Sequence, residues 1–147
     1  MDTNHVTAWE ARNPALVAKL NALPKDTVVC TSSITLGEMA ASYEMTNGDP
    51  PRRHRVKQWL NIYVIPYAVK VSEGTAPYYG NIMGRIWKKW PPARITSTEN
   101  HLRARGVDIN DIWITACAWE HGLTLLTTDA MQSIRDVTPE VTFDNWC

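Results

Sequence analysis

The sequence predicts an α/β domain built on a largely parallel sheet. Stretches of helical periodicity alternate along the chain with short β-branched apolar runs, the pattern of strand–helix–strand units. The clearest such pair is "INDIWITACAWEHG", helical, followed at once by "LTLLTTD", a buried strand that ends on an acid. The 147 residues suit one domain, 1–147, long enough to bury a core.

A first strand is expected to end at Asp2, with a helix-like stretch after it. In "NPALVAKLNAL", Asn13 is a good N-cap, Pro14 suits the first helical position, and Leu16, Val17, Leu20 and Leu23 share one face. "DTVVCTS" reads as a strand. "TLGEMAASYEM" reads as a helix, with Thr35 and Glu38 at capping-box spacing. "NGDPP" breaks the chain before a basic helix, "PPRRHRVKQWLNI", with Val56, Trp59, Leu60 and Ile62 inward. "YVIPYAVKV" holds a short strand interrupted by Pro66. "APYYGNIMGRIWKKW" is helical, with Tyr79, Ile82, Met83, Ile86 and Trp90 on one side. "PPARITSTEN" reads as a loop. Asp108 is the expected N-cap of the "INDIW" helix, Gly122 its C′ residue, and "VTFDNW" a last short strand.

Composition bounds the function. No apolar run approaches the roughly 18 residues that span a bilayer, and no secretory leader pattern is visible. Cys30, Cys117 and Cys147 are far apart and show no C-x-x-C spacing, so neither zinc nor a disulfide framework is indicated; a cytoplasmic location is expected. The seven tryptophans are read as packing residues. The 15 basic and 15 acidic residues balance, so global charge does not point to nucleic acid. A pocket that neutralised four acids would leave an excess of four positive charges elsewhere.

Ligands of a parallel sheet bind outside the carboxyl ends of its strands. Asp2 ends the first expected strand, Glu38 and Asp111 lie in first helical turns, and Asp129 follows "LTLLT". Each has a local explanation. Asp2 fits a loose terminus, Glu38 the capping box, Asp111 the positive helix end, and Asp129 the N-cap of "AMQSI". Their joint placement is the signal. Two carboxylates about 4 Å apart repel by about 4 kcal/mol at an effective dielectric near 20, so a cluster needs protons or cations. No Lys or Arg stands within three residues of any of the four. An all-oxygen set suits Mg²⁺ or Mn²⁺.

"DTN", "SSITLGE", "NDIWITACAWEHGLTLLTTD" and the closing "NW", in this order, resemble PIN-domain nucleases, and within them the VapC-type toxins of bacterial toxin–antitoxin pairs. The resemblance covers essentially the whole chain. It implies a three-layer α/β/α sandwich around a mainly parallel sheet, and metal-dependent endonucleolytic cleavage of RNA by metal-activated water, leaving a 5′-phosphate and a 3′-hydroxyl. The family's acidic quartet matches Asp2, Glu38, Asp111 and Asp129. Asn4 matches a position that supports the first acid, and Thr127 the hydroxyl residue two before the last. A cognate antitoxin and a homodimer are implied as partners. Two departures stand out. Relatives run several apolar residues up to the first Asp, where this chain has only Met1, so either its start is late or the first strand is cut short, and the start is the one to doubt. The 88–106 link is also longer than usual.

RNA binding requires cations. "RRHRVK" supplies Arg52, Arg53, Arg55 and Lys57; Arg85, Lys88, Lys89, Arg94, Arg103 and Arg105 surround a single acid, Glu99. The second group is preferred because it leads into Asp111; a solvated helix face is the bland reading. His5, His54, His101 and His121 are expected to be solvated or structural. Three alternatives stay open: a non-catalytic PIN-like module binding RNA or protein, which would lack some of the acids, a metal-dependent DNA nuclease, and a phosphatase. A haloacid-type phosphatase wants D-x-D where this chain has "DTN", and a phosphoacceptor domain wants a late Lys, absent after Lys89.

Overall fold

In a computed structural model the chain is described over residues 1–45, 50–93 and 97–147, with the side chains of 51–53 outside the description. It is α/β with helices dominating. The helices are α1 (Thr3–Glu10), α2 (Pro14–Asn21), α3 (Ser33–Met45), α4 (Pro50–Tyr63), α5 (Ala76–Lys89), α6 (Thr98–Arg103), α7 (Ile109–Glu120) and α8 (Gln132–Arg135). The strands are two residues each: β1 (Thr31–Ser32), β2 (Ala68–Val69), β3 (Leu125–Leu126) and β4 (Phe143–Asp144). β1 and β2 are parallel, Thr31 opposite Ala68 and Ser32 opposite Val69; β3 pairs with β4.

The chain divides into two compact units. The first comprises residues 1–70, 126–128 and 145–147. Its core gathers Met1, Val6, Met39, Val56, Leu60, Val64 and Leu126, with Trp9, Trp59 and Trp146 packed against them. Trp9 meets Trp59 edge-on at 5.1 Å between centroids, so these tryptophans pack. Asn13 caps α2 as expected, accepting from the backbone N–H of Ala15 and Leu16 at 3.0 and 3.1 Å, with Pro14 at the first helical position.

The second unit comprises residues 71–125 and 129–144. Here α5 packs along α7, burying Ile82, Ile86, Ile112 and Ile114, while Tyr79 stacks on Trp113 at 3.9 Å. Asp108 caps α7 by accepting from Asn110 N–H at 2.7 Å, as its position predicted. Gly106 and Gly122, at φ of +63° and +61°, turn the chain out of α6 and α7 through a left-handed conformation that glycine adopts without strain.

Several expectations are corrected. Strand pairing in "DTVVCTS" starts only at Thr31, and Val28 is 68% exposed. Ser32, not Thr35, caps α3: its hydroxyl accepts from Thr35 N–H at 3.1 Å, which displaces the Thr35–Glu38 capping box. Ile62 points outward at 62% exposure, because the buried stripe of α4 runs through Val56, Leu60 and Val64. Pro66 lies in a 3₁₀ turn, Ile65–Tyr67, that precedes β2. Part of the expected loop "PPARITSTEN" is helical, since Ser97 caps α6 and α6 buries His101 and Leu102. Asn47–Asp49 of the "NGDPP" break, and Arg94, lie outside the described residues.

Candidate functional site

In the first unit the site grows from the junction at Asp2. Its backbone is extended, with φ −77° and ψ −178°, and α1 starts at the next residue. The Asp2 N–H donates to the Leu126 carbonyl at 3.0 Å, at the end of β3. On the other side, the Thr31 hydroxyl donates to the Met1 carbonyl at 2.8 Å, and the Met1 amino group to the Cys30 carbonyl at 2.8 Å. Burial holds that amino group below its usual pKa. Met1–Asp2 thus lies between Leu126 and Cys30–Thr31 without forming a strand, and Asp2 serves as the N-cap of α1.

Asp2 is 3% exposed. Its Oδ1 accepts from the His5 N–H at 2.9 Å, the capping bond, and lies 3.3 Å from His5 Nδ1. Its Oδ2 is buried and has no hydrogen-bond partner among the described residues. An unpartnered buried carboxylate oxygen costs more than the roughly 1–3 kcal/mol of a neutral group. The reading of Asp2 as a loose terminus therefore fails.

Glu38, half-buried on α3, accepts a hydrogen bond from the Thr3 hydroxyl, so two candidate acids of this unit are linked through adjacent residues 2 and 3. Thr127 is 1% exposed and follows Leu126, the partner of Asp2. Asn4 is exposed; the ring that reaches Asp2 belongs to His5. His5 is wholly buried, not solvated. The signal for it was its place three residues after an N-cap aspartate, where cap and side chain meet. Burial, and secondarily the Asp2 charge, push the Cys147 thiol up.

In the second unit Asp111 is half-buried in the first turn of α7. One turn on, Thr115 is wholly buried and its hydroxyl has no partner among the described residues. Asp129 is exposed and does not cap "AMQSI": Met131 is the cap residue of α8, at a left-handed φ of 41° with no side-chain capping bond. The Asp129 carbonyl accepts from Arg135 at 3.4 Å.

Three of the six cations proposed for RNA carry intramolecular partners. Arg85 makes a two-point contact with Glu140 at 2.7 and 2.9 Å and reaches the Val137 carbonyl. Lys89 meets Asp136 at 3.2 Å, and Arg103 meets Glu99 at 3.0 Å. Lys88 is exposed with no ion-pair partner among the described residues, and exposed Arg105 lies 5.8 Å over the Trp90 ring. The expectation of one acid among these cations is corrected, because Glu140 and Asp136 arrive from distant sequence.

Among the described residues no three His, Cys, Asp or Glu side chains gather closely enough to hold a metal ion between them. The orphaned Oδ2 of Asp2 nonetheless fits a hard cation, since a buried carboxylate oxygen without a hydrogen-bond donor is the kind of atom such an ion binds.

An α/β domain with acids set where strands end and helices begin defines the class. The chain belongs to the PIN domain family, whose model matches residues 1–137. Domains of this family are generally nucleases, typically with divalent metals. Solved structures share the fold. VapBC2 from Rickettsia felis, bound to a promoter DNA fragment, aligns with TM-score 0.70 at 19% identity, over 99% of this chain and 96% of that one. FitAcB from Neisseria gonorrhoeae gives 0.67 at 20%, over 98% and 94%. VapBC-1 from nontypeable Haemophilus influenzae gives 0.66 at 21%, over 99% and 95%. No curated protein matches the sequence. No helix among the described residues is long and apolar enough to cross a membrane.

Proposed function

We propose that the chain, as one domain over 1–147, is a Mg²⁺- or Mn²⁺-dependent endoribonuclease, the toxin of a toxin–antitoxin pair working in the cytoplasm. The observation that carries the reading is the buried Asp2 carboxylate, with an oxygen left unpartnered, in a PIN domain. The antitoxin is supported by the VapBC and FitAB complexes that share the fold. A homodimer follows from the resemblance to VapC-type toxins.

Asp2, Glu38, Asp111 and Asp129 would hold the metal, which when bound supplies polarisation of the phosphodiester and activation of water. The chain's own residues do the rest. Asp2 is presented by the start of α1, and Thr3 restrains Glu38. Asn4 and Thr127 are assigned supporting roles beside the first and last acids. Lys88 and Arg105, with Arg94, carry the charge that meets the RNA backbone; Arg85, Lys89 and Arg103 contribute less, because their own acids already offset them.

The test is cleavage of total RNA with Mg²⁺, with and without EDTA, by wild type, Asp2→Ala and Asp111→Ala. Cleavage by wild type alone, abolished by EDTA, is expected. Equal cleavage by all three proteins overturns the site, and no cleavage of any RNA by wild type overturns the enzyme reading.

A further inference from the structure

His5 belongs to none of the motifs that point to a nuclease, yet it is wholly buried and bonded through both ring nitrogens. On one side the main-chain N–H of Trp146 donates to His5 Nε2 at 3.2 Å. A nitrogen that accepts a hydrogen bond carries no hydrogen, so the ring proton resides on Nδ1. On the other side Nδ1 lies 3.3 Å from Asp2 Oδ1 and donates to it. The backbone N–H of His5 donates to the same oxygen at 2.9 Å. Both bonds thus fall on Oδ1, and Oδ2 is left buried and unpartnered.

We propose that His5 is a positioning residue. Locked as the Nδ1–H tautomer by the Trp146 main chain, it pins Asp2 through Oδ1 and presents Oδ2 as the oxygen for the cation. The main chain at Trp146 thereby sets the orientation of the Asp2 carboxylate. The inference rests on the metal-nuclease reading and adds what aims its first acid. Carboxylates and imidazoles around metal sites are oriented in this way by outer partners, whose loss costs about 10–100-fold in metal affinity or activity.

Two substitutions divide the ring's contacts. His5→Asn puts an amide N–H where Nδ1 stands and keeps the bond to Asp2. His5→Gln puts an amide oxygen near Nε2 and keeps the bond from Trp146, but loses the donor to Asp2. Mn²⁺ affinity is measured by titration calorimetry on the folded proteins, without RNA. His5→Asn is expected within about threefold of wild type, and His5→Gln weaker by about 10–100-fold. Unchanged affinity in His5→Gln overturns the proposal, as does an equal loss in both variants, which a mere packing role produces. Imidazole ¹⁵N chemical shifts of wild type supply a readout independent of folding in the variants: a protonated Nδ1 and bare Nε2 are expected, and the opposite tautomer overturns the proposal whatever the metal does. Wild type that binds no Mn²⁺ overturns the metal site itself, an outcome distinct from wild-type binding with His5→Gln unchanged.

Discussion

The Thr75 hydroxyl donates to Glu120 Oε2 at 2.6 Å and ties the start of α5 to the end of α7. Thr75 Oγ1 in turn accepts from Ser72 N–H at 3.0 Å, and Thr75 is wholly buried. Thr75→Val keeps the shape and removes both bonds. It is expected to lower stability by about 1–3 kcal/mol in urea denaturation, since two polar groups lose their partner. Thr75→Ser should restore most of the loss.

Cys117 lies one turn before Glu120 on α7, and burial, with the Glu120 charge behind it, pushes its thiol up to about 11. At pH 8.5 it should resist iodoacetamide in the native protein while exposed Cys147 reacts. The folded thiol keeps a proton that the unfolded thiol releases near pH 9.0, so stability is full below 9.0 and falls as pH rises towards about 11. Denaturation midpoints across that range check the sign, and Cys117→Ala should flatten the slope.

Leu60 and Ile62 sit on one helix and differ in exposure, 8% against 62%. Leu60→Ala is expected to cost about 2–5 kcal/mol through the cavity it leaves. Ile62→Ala should stay within about 0.5 kcal/mol. Parallel urea titrations compare them; equal losses would restore Ile62 to the core.

Lys88 and Lys89 are neighbours in sequence with different surroundings, since Lys89 already faces Asp136. Binding of single-stranded RNA in EDTA, followed by fluorescence anisotropy against salt, should lose about 0.7 of a unit of log–log slope in Lys88→Ala. Lys89→Ala should lose less, and identical slopes for wild type and Lys88→Ala would remove Lys88 from the interface.

Asn13, Asp108 and Gly122 were legible in the sequence because a cap is decided within three or four residues. The α/β class was legible for a similar reason, as periodicity is a local property. Val28 was not: a β-branched run suits a strand, but pairing is decided by residues far along the chain, here Ala68 and Val69. Thr98–Asn100 looked like part of a loop, yet burying His101 and Leu102 outweighs weak propensity. The candidate acids stood out by type and position, whereas the roles of His5 and the restraint on Glu38 depend on Trp146 and Thr3, which no spacing rule brings together. The apparent excess of charge around Arg85 failed the same way, its acid being 55 positions away.

Met131 holds a left-handed backbone just downstream of Asp129 while its side chain is buried. For anyone redesigning the domain, this makes position 131 unusually choosy. Glycine would relax the backbone but leave a hole, and Val or Ile would fill the hole but resist the dihedral. A long unbranched apolar side chain meets both demands at the residue where α8 begins.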